Sequence, residues 1–110
     1  WFALLNVSGG FGIAGGALKM LGTVESNTGL WKAPNTAATN SSGFTALPGG
    51  QRNPLAIFQG HQESSIYWSK DEFVDQPNKG YAFIMGNTSG SVVLAVPAKI
   101  TGGSVRCVKD

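Results

Sequence analysis

The chain is 110 residues long, 42% hydrophobic and only 13% charged, with a formal net charge of +2. That length suits one domain with a single modest core, and that balance excludes a disordered acidic or basic tail. One cysteine and one histidine exclude an internal disulfide and a four-ligand zinc site, and the scattered Lys and Arg form no basic stripe with interleaved aromatics of the kind that binds nucleic acid.

Sixteen glycines and five prolines point to many turns and short elements. Residues 1–7 are apolar and read as the end of a helix or a strand. The glycine-rich stretch 8–16 reads as a loop or tight turn. Residues 17–21 follow as a short helical turn, with Ala17, Leu18 and Leu21 on one side and Lys19 outward. After polar residues 23–28, Trp31 is an anchor for the core. Residues 34–42 combine Pro, Asn, Thr and Ser, which predicts a loop held by side-chain-to-backbone bonds. Phe44 to Leu47 is a brief apolar segment closed by Pro48, Gly49 and Gly50, and residues 51–65 look irregular. Ile66 to Trp68 is strand-like, followed by a polar loop over 69–80.

The clearest secondary-structure signal comes late. Residues 81–85 and 91–96 are β-prone runs separated by Gly86, Asn87, Thr88, Ser89 and Gly90, a hairpin pattern with a longer turn. Pro97 stops the second run, and residues 104–108 alternate as a final strand would. The second run is apolar on both faces: Val92, Val93, Leu94, Ala95 and Val96 either lie inside the core or pack on a partner. No apolar run approaches the roughly 18 residues that span a bilayer. No secretion leader is visible, and Trp1 in place of an initiator Met reads as a processed product or a piece of something longer. The class is α+β, loop-rich, with β dominating.

Four ordered strings carry a family resemblance: Trp31-Lys-Ala-Pro-Asn35, then residues 39–50 (Thr-Asn-Ser-Ser-Gly-Phe-Thr-Ala-Leu-Pro-Gly-Gly) with Arg52, then Tyr67-Trp-Ser69, and finally residues 103–110 (Gly-Ser-Val-Arg-Cys-Val-Lys-Asp). In this order they resemble the Fibrobacter succinogenes major paralogous domain, a secreted bacterial module, and they cover most of the chain. The resemblance implies a C-type lectin-like fold, similar to that of formylglycine-generating enzymes, with short helices packed on a twisted antiparallel sheet. It also implies that residues 1–110 are one such module of a longer secreted protein. Three departures stand out. The upstream segment with a cysteine and a Gly-Trp motif is missing, so the disulfide partner that the resemblance implies for Cys107 is not in this chain. Trp68-Ser-Lys-Asp71 replaces the family's Trp-Ser-Ser-Thr. Val92 to Val96 replaces a stretch that is commonly rich in Asn and Tyr.

The chemistry-bearing residues mostly have plainer readings. Gly10-Phe-Gly12-Ile-Ala-Gly15 matches a dinucleotide fingerprint, but no acidic residue stands about 20 positions on and no second parallel strand follows, so it is a glycine turn. Cys107 and His61 can be paired on paper as nucleophile and base, yet Cys107 lies in a β-prone run where a buried thiol or half a disulfide is expected. Asp71, Glu72 and Asp75 make a solvated acidic loop rather than a calcium site, which needs about six oxygen ligands. Among the aromatics, Trp31 and Trp68 are assigned to the core and Tyr67 and Tyr81 to the surface. The sequons at Asn6, Asn40 and Asn87 read as turn residues.

The expectation is therefore a non-catalytic extracellular or cell-surface module that binds a glycan or a surface protein, with no cofactor and no metal. Its binding residues are expected in the loops and at tyrosine tips: His61, Gln62, Tyr67, Tyr81, Asn87 and Ser89. The alternative is a structural subunit of an extracellular assembly, a filament or phage-like particle. It would associate with copies of itself or with a neighbouring domain of the parent protein through Val92, Val93, Leu94 and Val96.

Overall fold

The computed structural model describes residues 1–107. Two short helices open the chain, α1 over Phe2–Val7 and α2 over Phe11–Leu18. They are joined by a turn in which Gly9 and Gly10 take φ of 96° and 84°, a region that L side chains avoid. The stretch expected to be loop, residues 8–16, is thus mostly helix. Propensity alone opposes this, because Gly15 and Gly16 each weaken a helix interior. Tertiary contact overrides it: a Cβ on Gly15 would collide with the Ser91 carbonyl, and one on Gly16 with the Ala37 carbonyl. The glycines let the helix backbone lie directly on two loops. Leu18 and Ala14 are fully buried beside them.

Helix α2 ends at Lys19, whose backbone is extended and bridges Ala46. The long connection that follows packs Trp31 completely inside, and its indole N–H donates to the Ala46 carbonyl at 2.9 Å. A second turn is held as expected by a side chain, the Asn40 amide, which bonds both the backbone N–H and the hydroxyl of Thr45 at 2.8 Å. A two-residue antiparallel ribbon comes next, with β1 (Gln51–Arg52) paired to β2 (Phe58–Gln59). Asn53 Oδ1 closes its turn by accepting from the N–H groups of Leu55 and Ile57.

The main sheet has three antiparallel strands in the order β3 (Ser64–Glu72), β4 (Gly80–Gly86) and β5 (Val93–Ala95). The β4–β5 hairpin is the one visible in the sequence. Strand β3 runs further than expected, through residues 69–72 that read as polar loop. In the register, Tyr67 faces Phe83, Ser65 faces Met85, and Phe83 faces Leu94. Of these, Tyr67, Phe83 and Met85 build the core with Leu5, Leu18, Trp31, Phe44 and Val92. Trp1 stacks on Phe83 at 4.7 Å, and Phe44 meets Tyr67 edge-on at 5.4 Å. Ile66 and Ala82 point the other way and are buried too. The chain near Gly103 lies against Ile66: Ser104 N–H donates to the Ile66 carbonyl and the Ser104 carbonyl accepts from Trp68 N–H.

Several expectations need correcting. Lys19 is not outward but fully buried, because its long side chain reaches loop carbonyls inside the fold. Tyr67 is not at the surface but in the core, 6% exposed, where it stays satisfied because its hydroxyl oxygen accepts from Leu47 N–H at 3.3 Å. Trp68 is only half-buried, since it sits on the outer face of the sheet. The final strand over 104–108 does not form through 107: only Ser104 bridges β3, and Val108 lies outside the described residues. Cys107 is exposed rather than buried. The apolar run divides, with Val92 buried, Val96 half-buried, and Val93 and Leu94 exposed.

Candidate functional site

The loops named from the sequence do come together in part. Gln62 accepts from Lys32 N–H at 2.8 Å, Asn87 N–H donates to Glu63 at 2.9 Å, and the Asn87 amide donates to the Ala33 carbonyl at 3.1 Å. Lys32 and Glu63 form an exposed ion pair at 3.1 Å across the same loops. His61 is exposed on the adjoining turn, while the Ser89 hydroxyl is engaged with Ser91 at 2.7 Å. His61, Gln62, Asn87 and Ser89 thus share one loop-built face, but much of its polar capacity holds the loops to each other. Tyr67 and Tyr81 do not join it: Tyr67 is in the core, and Tyr81 packs edge-on against Phe73 on β4.

Lys19 anchors this face from beneath. Its ammonium donates to the carbonyls of Thr36, Gly86 and Ser89 at 2.8, 2.9 and 2.8 Å, one proton for each acceptor. The Trp31 ring lies 5.4 Å from the charge. Burial pulls the Lys19 pKa down from 10.5 to about 8, so it is still charged at neutral pH. Asn35 completes the clamp in the opposite direction, its amide donating to Met20 and Gly22 while its backbone takes a left-handed φ of 48° after the cis Ala33–Pro34 bond.

A separate cavity lies elsewhere. A cleft of about 630 Å³ opens along the free edge of β3, within the usual size of small-ligand sites. It exists because the chain beside β3 stops pairing at Ser104: no backbone bond joins residues 105–107 to the strand among the described residues. Arg106 instead turns to Phe44, donating to its carbonyl at 2.6 Å with the guanidinium 4.6 Å from the ring centre. The gap left between β3 and α1 is walled by Trp1, Leu4, Phe44 and Trp68 and rimmed by Ser69, Lys70 and Asp71. Trp1 is fixed there, its indole N–H donating to the Trp68 carbonyl at 3.3 Å. Asp71 accepts from the Ser69 hydroxyl at 3.3 Å.

Cys107 lines the cleft and His61 does not, so the two are not brought to one cavity. Glu72 points to Lys99 at 2.7 Å, and that hydrogen bond and charge hold its carboxyl below the usual range. Among the described residues no three His, Cys, Asp or Glu side chains are gathered to hold a metal ion. No helix there is long and apolar enough to cross a membrane. The sequence reading missed the cleft, although Trp68 and Cys107 were both in view. The usable signal was the Trp-Ser-Lys-Asp run of 68–71, which places a hydroxyl and then a charged pair after an indole. Comparison with protein-family models, with curated proteins and with solved structures finds no match.

Proposed function

We propose that the chain is a non-catalytic extracellular binding module of C-type lectin-like fold, and that it takes a glycan in the cleft beside β3. The observation that carries this reading is the pairing of the Trp1 and Trp68 indoles with Ser69, Lys70 and Asp71 around one cavity. A sugar ring offers an apolar C–H face and a fringe of hydroxyls. An aromatic wall suits the first, and a carboxylate, an ammonium and a hydroxyl suit the second. Ala3 and Leu4 of α1, with residues 105–107 opposite, supply the other walls.

The test is a glycan screen by calorimetry with the 110-residue chain, repeated with Trp68→Ala, Asp71→Asn and His61→Ala. Binding that is lost with the first two variants and kept with the third supports the cleft. Loss with His61→Ala alone moves the site to the loop face. A chain that binds no glycan in the screen, or binds equally well without Trp68 and Asp71, refutes the proposal, and a protein ligand is then the alternative.

A further inference from the structure

Beside the cleft lies a smaller recess of about 270 Å³, lined by Arg52, Phe58 and Ser104 together with several glycines. Alone it is smaller than the roughly 300 Å³ at which small-ligand sites begin. The two cavities share a wall. Val105 lines the cleft and Ser104 the recess. Trp68 of the cleft also lies so close along Gly103 of the recess that a Cβ there would stand 3.1 Å from the indole Nε1. One ring thus reaches from the first cavity to the second.

Groups without partners gather along this path. Unlike the indole N–H groups of Trp1 and Trp31, that of Trp68 has no acceptor among the described residues, and it is not buried. The Ser104 hydroxyl, beside Gly49 in the recess, makes no hydrogen bond there either. Phe58 is 81% exposed. Lys32 and Lys99 are paired with Glu63 and Glu72, whereas the Arg52 guanidinium has no ion pair and no acceptor among the described residues. The charge balance agrees with this. Eight Lys and Arg stand against six Asp and Glu in the chain. Arg52, Lys70 and Arg106 line the two cavities against Asp71 alone, so the whole excess of two positive charges is found there and the other charges balance.

We infer that the ligand is an acidic glycan chain rather than a single neutral sugar, and that it runs from the cleft across Trp68 into the recess. This rests on the glycan reading given above and names the class of glycan. One unit occupies the cleft against the indoles. Where the chain crosses Trp68, the free N–H donates to one of its oxygens. A further unit packs on Phe58 and presents a carboxylate to Arg52. A guanidinium holds a carboxylate through two parallel hydrogen bonds, and Arg52 gives up no bond within the protein to do so. Lys70 at the cleft rim attracts a second carboxylate of the repeating chain, while Asp71 accepts from hydroxyls. A neutral chain would meet the same aromatic walls but would leave both cations without a counter-charge.

The test is calorimetry of the 110-residue chain with oligogalacturonates and oligomannuronates of one to six units, and with neutral malto- and cello-oligosaccharides of the same lengths. Affinity for an acidic series should rise about tenfold or more from one unit to the longer chains, and should weaken as salt is raised. Arg52→Gln and Phe58→Ala should each remove most of that gain while single-unit binding stays as it was, and Trp68→Ala should weaken binding at every length. Circular dichroism should be unchanged in all three variants. If Arg52→Gln fails to fold, Phe58→Ala decides. Binding that ignores chain length, or that Arg52→Gln and Phe58→Ala leave intact, overturns the inference while the glycan reading stands. Neutral chains bound as tightly as acidic ones do the same. A polyglutamate peptide bound as tightly as the acidic chains overturns it in favour of a protein ligand. No binding of any chain removes the glycan reading and this inference together.

Discussion

Replacing Lys19 by Met tests how the loops are held. The substitution keeps length and apolar volume but removes the charge and all three donors. Hydrogen bonds from a charged donor contribute about 1.5–3 kcal/mol each, so the three carbonyls of Thr36, Gly86 and Ser89 together represent about 5–9 kcal/mol. Against this stands the cost of burying the ammonium. A fall in pKa from 10.5 to about 8 corresponds to about 3 kcal/mol against the charged form. The difference leaves Lys19→Met less stable by about 3 kcal/mol near neutral pH. The pH dependence has a definite sign. Between about pH 8 and 10.5 the unfolded chain holds the Lys19 proton and the folded chain does not, so folded stability rises with pH across that window. Lys19→Met lacks that rise, while every other group titrates alike in both proteins. Urea unfolding followed by tryptophan fluorescence, at pH values below and above this window, reads both effects. A variant as stable as the parent near neutral pH, or one whose stability follows the parent's in parallel above pH 8, would refute the reasoning.

Two further outcomes follow from the packing. Gly15→Ala drives a Cβ into the Ser91 carbonyl and should cost about 1–3 kcal/mol in thermal or urea unfolding. Gly12→Ala, in the same helix with nothing within 4 Å of the new methyl, should instead stabilise by about 0.4–1 kcal/mol. Equal effects at the two positions would show that the helix does not lie on the loop as described. Cys107 is exposed at the cleft, so a disulfide reagent should label it in the native chain without denaturant. A bulky adduct there should weaken glycan binding, which calorimetry on the labelled protein would show. Slow labelling that speeds up only on unfolding would contradict its placement.

What could be read from the chain was whatever depends on near neighbours. Alternation with a glycine-bounded turn marked the β4–β5 hairpin, because a strand pair with a local turn is set by adjacent residues. The apolar weight of Trp31 marked it for the core, since no surface position in a small domain hides so large a ring. Clustered Asn, Ser and Thr marked the loops between α2 and the sheet, because those side chains compete locally for backbone groups. Composition marked the chain as rich in turns and short elements, and the order of apolar runs along it placed it among loop-rich α+β folds.

Everything that turned on distant segments meeting was decided by the tertiary structure. Glycines read as a loop became helix α2, because two carbonyls from residues 37 and 91 came close enough to require a bare backbone. Lys19 looked like an outward charge, yet three carbonyls from 17 to 70 positions away drew it inside. Tyr67 went to the core because Leu47 N–H could satisfy its hydroxyl. The cleft arose where residues 105–107 left β3, a divergence that no local pattern encodes. Local propensities are worth tenths of a kcal/mol to about one, whereas a collision avoided or a buried polar group satisfied is worth more. The stronger of these two influences therefore acts through partners that the order of residues along the chain does not name.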